Sequence, residues 1–191
     1  MPSKRPTRIA CLGWGSVIWD PRELPIRNPW FTDGPLLPIE FARFSSCSRV
    51  TLVIVEGKPE ICSLWAVMNT DNLEDAAAQL AQREGVTLNA KRDIGRWKIG
   101  DPCEDRIIQT ISSWAIARDL DAVIWTALAY KVKKEKDKIP RLDQIIARLH
   151  DAENKKLKKP REYIEKAPPQ IDTAYRRAIN KVFGWSCISE I

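Results

Sequence analysis

The segment Gly13-Trp14-Gly15-Ser16 is the first place in the chain where residue types and spacing could do chemistry. It directly follows an apolar stretch that predicts a strand. Two glycines flanking one residue let a chain turn sharply and expose backbone N–H groups, and Ser16 adds a hydroxyl. Such a turn can hold an anion, for example a carboxylate. The same residues also suit a structural β-turn, and spacing alone favours that interpretation.

Glu84 is the second candidate for chemistry. It lies at the end of a predicted helix, in Gln82-Arg83-Glu84-Gly85, from where a side chain can reach beyond the helix into a cleft. A carboxylate in such a position can act as a general base. Most glutamates are solvated surface residues, so the position alone does not identify a site.

The cysteines and the single histidine, His150, argue against several other kinds of site. The five cysteines are widely spaced and form no C-x-x-C pair. A disulfide scaffold, a zinc finger and a histidine-rich metal centre are therefore poorly supported, and we expect neither a metal nor a cofactor. Reduced thiols predict a cytoplasmic protein. His150 is interpreted as a residue at a helix C-terminus and not as a catalytic one. The cysteines are Cys11, Cys47, Cys62, Cys103 and Cys187.

The positive charge is confined to one segment. The net charge of the 191-residue chain is +6, but residues 1–130 hold 15 Lys/Arg and 16 Asp/Glu, whereas residues 131–166 hold 13 Lys/Arg and 7 Asp/Glu. This segment lacks the interleaved aromatic residues of a single-strand-binding platform, so a solvated surface is favoured over nucleic-acid contact. Steering of an anionic substrate is a third interpretation. No window is apolar for the length that a membrane helix needs.

The elements that must position these residues predict an α+β fold in one domain over residues 1–191. Strands are expected early, and the C-terminal third is expected to be helical. We predict a small mixed or antiparallel β-barrel flanked by helices. A proline-rich connection around residues 21–38 is expected to be irregular and partly extended. The predicted strands are Leu37–Phe44, Val50–Val55, Cys62–Met68 and Ala122–Ala127. The predicted helices are Asp71–Arg83, capped by Asp71 with Glu74 and ended by Gly85, then Arg106–Arg118, Arg141–His150, Arg161–Lys166 and Ile171–Val182.

Four motifs in sequence order resemble those of the gamma-glutamylcyclotransferases of the ChaC type. The segment from Cys11 to Trp19 is similar to the family's G-Y-G-S-L-I-W signature. The strands that carry Arg43 and Arg49 are similar to its arginine-bearing strands. Arg83-Glu84-Gly85 resembles its R-E segment, and Pro160-Arg161-Glu162-Tyr163-Ile164 resembles its late N-x-E-Y-L element.

The resemblance implies a reaction as well as a fold. Glu84 would be the general base that removes a proton from the α-ammonium of a gamma-glutamyl group. Gly13, Trp14, Gly15 and Ser16 would hold that group, with Arg49 and Tyr163 as further pocket residues. The freed amine would close a five-membered ring, giving 5-oxoproline and a released amine or amino acid. No cofactor is implied.

Two departures from the family pattern keep a second hypothesis open. Trp14 replaces the tyrosine of the signature, and no tyrosine closely follows Glu84, although the family often has one there. The alternative is a non-catalytic binding module of the same fold, which holds a small anion, a protein or a nucleic acid. The sequence does not decide the substrate or the oligomeric state.

Overall fold

The computed structural model describes residues 5–86, 93–132, 135–136 and 138–188. Their contacts divide into two compact units, each built from three segments. The first unit comprises the described residues of Met1–Gly13, Pro21–Leu36 and Cys62–Ala127. The second comprises those of Trp14–Asp20, Leu37–Ile61 and Leu128–Ile191. Each unit therefore has its own sheet and helices, which are described in turn.

The first unit contains a mixed five-stranded sheet and two helices. Its strands are β1 (Ile9–Gly13), β2 (Ile26–Phe31), β7 (Leu64–Met68), β8 (Ile94–Lys98) and β9 (Ala122–Thr126), numbered along the whole chain. Its helices are α1 (Leu73–Glu84) and α2 (Arg106–Ile116). The strand order is β2-β7-β1-β9-β8. β1 is central and buried along its whole length, as expected for a strand covered on both faces. It pairs antiparallel with β7 and parallel with β9.

The second unit contains a four-stranded sheet and three helices. Its strands are β4 (Ile39–Phe44), β5 (Val50–Ile54), β10 (Lys131–Val132) and β11 (Glu135–Lys136), in the order β11-β10-β4-β5. Its helices are α3 (Leu142–Asn154), α4 (Lys158–Glu165) and α5 (Ala174–Phe183). The helical C-terminal third is therefore confirmed. Two further strands, β3 (Leu36–Leu37) and β6 (Ile61–Cys62), pair as a two-stranded sheet.

The α+β class is confirmed, whereas the predicted barrel is not formed by the described strands. The five-stranded sheet has β2 and β8 as its two edges, and no described ladder joins them. Residues Glu56-Gly57-Lys58-Pro59 predict a turn between the strands Val50–Val55 and Cys62–Met68. A turn does follow β5, with the Lys58 N–H donating to the Val55 carbonyl at 3.2 Å. It does not close a hairpin, because β5 pairs with β4 while β7 pairs with β1 and β2.

Helix α1 illustrates how well the local signals predict an element. The helix begins at Leu73, two residues after the predicted Asp71, because Asn72 is the N-cap and its side chain accepts from the N–H groups of Glu74 and Asp75. The predicted cap by Asp71 is therefore wrong. Gly85 ends the helix as predicted, with a φ of 67° that suits a glycine.

Two strands of the first unit were not predicted. β2 lies in the proline-rich connection, and its Pro29 is tolerated because β2 is an edge strand with an irregular register. β8 contains Gly95, which lies opposite Trp125 of β9. The Trp125 indole occupies the space that a side chain at position 95 would need, so glycine is required there by packing. Proline and glycine are both uncommon in strands, so Pro29 and Gly95 do not predict strands from the sequence alone.

Candidate functional site

The carboxylate of Glu84 is held in place by its neighbours within the first unit. Glu84 ends α1, and its side chain is 16% exposed, whereas that of Arg83 is 4% exposed. Arg83 Nη1 donates to Glu84 Oε1 at 2.6 Å, and the Thr126 hydroxyl donates to the same oxygen at 3.4 Å. Arg22 Nη1 donates to the Arg83 carbonyl at 3.1 Å. The carboxylate is thus oriented by two donors and not loose in solvent.

The Glu84 carboxylate lies at the carboxyl end of the parallel strands β1 and β9. In their register Cys11 is opposite Ile124. Continuing this register by two residues puts Gly13 level with Thr126, the residue that contacts Glu84. Both strands end at this level. Gly13, Thr126 and the Glu84 carboxylate are therefore related at this edge of the first unit's sheet.

Cys11 on β1 is a thiol whose pKa is affected by the charge of Glu84. The side chain is fully buried, and burial raises the pKa of the thiol to about 12, with the negative charge of Glu84 adding to the rise and Arg83 opposing it. A thiol with so high a pKa is not a nucleophile at neutral pH, because the thiolate is the reactive form. Cys11 is therefore a packing residue next to Glu84, as a buried cysteine in a strand usually is.

The glycine turn belongs to the second unit from Trp14 onward. The Ile18 N–H donates to the Gly15 carbonyl at 3.0 Å, and the Asp20 N–H donates to the Ser16 carbonyl at 2.9 Å, so the segment closes as a helical turn. Trp14 is 4% exposed and acts as an anchor for the turn, whereas Ser16 is half-buried. The positive-φ residues of the described chain do not include Gly15. The reason for glycine at this position is therefore not the left-handed backbone.

Tyr163 is brought directly against Gly15. A Cβ atom added to Gly15 would lie 2.5 Å from the Tyr163 hydroxyl oxygen. The Tyr163 ring is buried, with edge-on contacts to Trp19 at 5.3 Å and to Phe41 at 6.3 Å between ring centroids. Its hydroxyl accepts from the Leu52 N–H at 3.4 Å. The expectation that Tyr163 accompanies the turn is consistent with this contact.

Arg49 precedes β5 and has an unusual side chain. Its Nε atom is buried and has no hydrogen-bond partner in the described part of the chain. Its backbone N–H donates to the Ser46 carbonyl at 3.3 Å, which closes a loop whose Cys47 and Ser48 have φ of 54° and 58°. No described hydrogen bond joins Arg49 to the turn or to Tyr163. A buried donor without an acceptor is costly, so Arg49 remains a candidate for contact with an anion.

The structure also locates His150 and part of the basic segment, residues 131–166. The rings of His150 and Phe183 are in contact, with their centroids 4.6 Å apart and their planes tilted by 45°. His150 is exposed and lies one turn before the end of α3, so the prediction that it ends its helix is wrong. In the basic segment Lys155 pairs with Asp151, and the described lysines are exposed. The side chains of residues 131–137 lie outside the described ones. Over the residues described, no group of three or more His, Cys, Asp or Glu could hold a metal, and no helix is long and apolar enough to cross a membrane.

Comparisons with protein-family models, with curated proteins and with solved structures each find no match for this chain. The resemblance described above therefore depends on the four motifs alone.

The structure groups the predicted residues by unit. It assigns Gly13 and Glu84 to the first unit, where the β1 and β9 register relates them. It assigns the others to the second unit, where Gly15 and Tyr163 are in contact. These others are Trp14, Gly15, Ser16, Arg49 and Tyr163. Sequence reasoning missed Thr126. Its signal was a polar residue at the end of an apolar strand, which is where functional side chains collect.

Proposed function

We propose that this chain is a gamma-glutamylcyclotransferase-like enzyme that cyclises a gamma-glutamyl amide or peptide in the cytoplasm. The observation that carries the proposal is the oriented carboxylate of Glu84 at the carboxyl end of β1, level with the first residue of the glycine-serine turn. The open sheet differs from the barrel that the resemblance implies, so the proposal depends on the site residues and not on the fold.

In the proposed reaction Glu84 takes a proton from the α-ammonium of the gamma-glutamyl group. The neutral amine attacks the side-chain carbonyl carbon of the same group, forming a carbon–nitrogen bond. The amide bond to the leaving amine then breaks, and the leaving nitrogen takes the proton that Glu84 holds. The ring nitrogen loses its second proton, which converts the released amine to its ammonium form. Atoms balance without a further reactant, and the products are 5-oxoproline and the amine.

The residues around Glu84 supply positioning in this scheme. Nucleophile and electrophile belong to one substrate, so proximity is built in and the protein needs a base and a stabiliser for the oxyanion. Arg83 and Thr126 orient the base. The resemblance implies that the turn from Gly13 to Ser16 supplies backbone donors and that Arg49 is a further pocket residue.

The test is an assay for 5-oxoproline after incubation of pure protein with a panel of gamma-glutamyl amides and peptides. The wild-type protein should release 5-oxoproline, and Glu84→Gln should lower kcat by about a hundredfold or more. Glu56→Gln, which changes an exposed glutamate in the turn after β5, is the matched control and should keep full activity. Full activity of Glu84→Gln, or no product from any substrate, would reject the reaction. In the second case the binding-module alternative would remain.

A further inference from the structure

The net positive charge of the chain belongs to the second unit. The segments of that unit hold 19 Lys/Arg and 13 Asp/Glu, whereas the segments of the first unit hold 12 of each. The excess in the second unit is therefore the whole net charge of +6. A positive excess confined to one part of a protein attracts anions to that part, and salt screens the attraction. A polyanion would thus be bound by the second unit.

Lysines are dense where α3 ends and α4 begins. Residues 155–159 read Lys-Lys-Leu-Lys-Lys, with four cations and no acidic residue. Only residues 155–157 separate the two helices, since α3 ends at Asn154 and α4 begins at Lys158. The Leu157 N–H donates to the Ala152 carbonyl at 2.9 Å, which closes the connection as a tight turn. We refer to residues 155–159 as the lysine turn, which presents four ammonium groups in one short segment.

The side chains of the lysine turn are available to a partner. Lys156, Lys158 and Lys159 are exposed, and none of them forms a side-chain hydrogen bond or an ion pair with any residue that the structure describes. Lys155 pairs with Asp151 at 2.7 Å, but the two side chains are 61% and 53% exposed. An ion pair this exposed contributes little to stability, so Lys155 can exchange its partner for another anion.

The lysines of the turn occupy positions where stability alone would favour other residues. Lys158 and Lys159 lie in the first turn of α4, which has no acidic residue, and the N-cap Leu157 makes no side-chain cap. The N-terminus of a helix carries partial positive charge, so cations there are repelled and anions are stabilised. Lys156 has a φ of 53°, a conformation that glycine adopts more easily. Contact with phosphates would give these three positions a reason to be lysine.

The surroundings of the lysine turn favour a nucleic-acid duplex over a lipid surface or a single strand. The apolar side chains of α4, Pro160, Tyr163 and Ile164, are buried, so this helix has no apolar face that could enter a membrane. The turn contains no aromatic residue on which unpaired bases could stack. Helix pairs with short connections that bind DNA present residues at the start of the second helix to the duplex. Lys158 and Lys159 have this position.

We propose that the lysine turn binds the phosphate backbone of double-stranded DNA without reading its sequence. Lys156, Lys158 and Lys159 contact phosphates, and Lys155 exchanges Asp151 for a phosphate. Lysine binds phosphate as a point charge, so the contacts carry no base specificity. Binding releases condensed counterions and therefore weakens as salt is added. It uses no residue of the reaction proposed for Glu84, so it can be tested whether or not the protein releases 5-oxoproline.

The experiment is a fluorescence-anisotropy titration of the full chain against two labelled duplexes of unrelated sequence, each of about 20 base pairs, at several salt concentrations from about 50 to 200 mM. Both duplexes should bind with equal affinity within about twofold, and log K should fall against log salt with a slope of about −3, for three to four phosphate contacts. No binding at the lowest salt, or tighter binding of a single strand of the same length, would overturn the proposal. Binding to phosphatidylglycerol vesicles without binding to the duplexes would assign the turn to a lipid surface and would also overturn it.

A double variant tests whether the lysine turn makes the contacts. Lys158→Gln combined with Lys159→Gln should weaken duplex binding by about tenfold or more at low salt and reduce the size of the salt slope by about 2. Its Tm should not fall, because two cations leave the N-terminus of a helix. Lys98→Gln combined with Lys181→Gln is the matched control, since both lysines are exposed, lie elsewhere in the chain and give the same change in net charge. The control should keep the wild-type slope. Equal losses in the two double variants would show a general charge effect and reject the lysine turn as the binding surface.

Discussion

The hydroxyl oxygen of Tyr163 lies 2.5 Å from the position that a Cβ atom on Gly15 would occupy. This distance is shorter than side-chain carbons tolerate, and the ring cannot easily retreat because it is buried against Trp19 and Phe41. Two motifs that are far apart in the sequence are thus in contact within one unit. The contact explains glycine at position 15 by packing.

A double-mutant cycle tests this contact. Gly15→Ala should lower the free energy of unfolding by about 1–3 kcal/mol through overpacking. In a Tyr163→Phe background the same change should cost clearly less, because the clashing oxygen is gone. Urea unfolding of the four proteins measures the coupling. Equal costs of Gly15→Ala in both backgrounds would show that the phenol is not the obstacle.

The raised pKa of Cys11 predicts a loss of stability in alkali. In the folded state burial, with the Glu84 charge, raises the thiol pKa to about 12, whereas the ordinary value is 9.0. The unfolded chain therefore loses this proton first as the pH rises. Stability from the buried thiol is complete below pH 9 and declines from pH 9 towards pH 12 by about 1.4 kcal/mol per pH unit.

The measurement compares urea unfolding of wild type and Cys11→Ala at several pH values above and below 9. The variant has no thiol at this position, so its stability should fall less steeply in alkali than that of the wild type, whatever its stability at neutral pH. Exposed Cys47 and Cys103 should react with a thiol reagent in the folded protein while Cys11 stays protected. Parallel pH profiles for the two proteins would contradict the prediction.

The lowered pKa of Asp33 predicts a loss of stability in acid. Hydrogen bonds from the Trp65 indole, and then from Arg118, lower the pKa of its carboxyl below the ordinary 3.8. Its contribution to stability is therefore present above pH 3.8 and is lost as the pH falls through the lower folded-state value. A carboxyl-carbon NMR titration should place the Asp33 midpoint below 3.8 and show it rising in Trp65→Phe.

Trp97→Phe is the control for the Asp33 titration. Trp97 is also a buried tryptophan of the first unit, but its indole N–H has no described partner. Removing that N–H should therefore leave the Asp33 midpoint unchanged. A midpoint that moves equally in both variants would mean that repacking, and not the Trp65 donor, controls this carboxyl.

Thr126 is expected to position the proposed base. Thr126→Val keeps the shape of the side chain but removes the donor to Glu84 Oε1. If the proposed reaction occurs, kcat should fall several-fold to about tenfold with KM little changed, because the base is less well oriented while substrate contacts remain. Thr126→Ser, which retains the hydroxyl, should recover most of kcat. Equal losses in both variants would rule out the hydrogen bond as the cause.

The sequence determined the local elements of this protein well. Apolar periodicity and the end signal at Gly85 predicted α1, and the same kind of pattern predicted β9 and the helical C-terminal third. These succeed because propensity, periodicity and helix ends act over a few neighbouring residues. The sequence also singled out Glu84 and Gly15, although for Gly15 it offered the wrong physical reason.

Only the tertiary structure decided how these elements pair and what the side chains meet. The parallel pairing of β1 with β9 joins residues more than a hundred positions apart, and it alone relates Gly13 to Thr126 and Glu84. Strand β2 contains a proline, which is tolerated because β2 lies at an edge of the sheet. Strand β8 contains a glycine, which the packing of Trp125 requires. Long-range pairing of this kind leaves no local pattern in the sequence. The sequence therefore predicted a barrel, whereas the described strands form an open sheet.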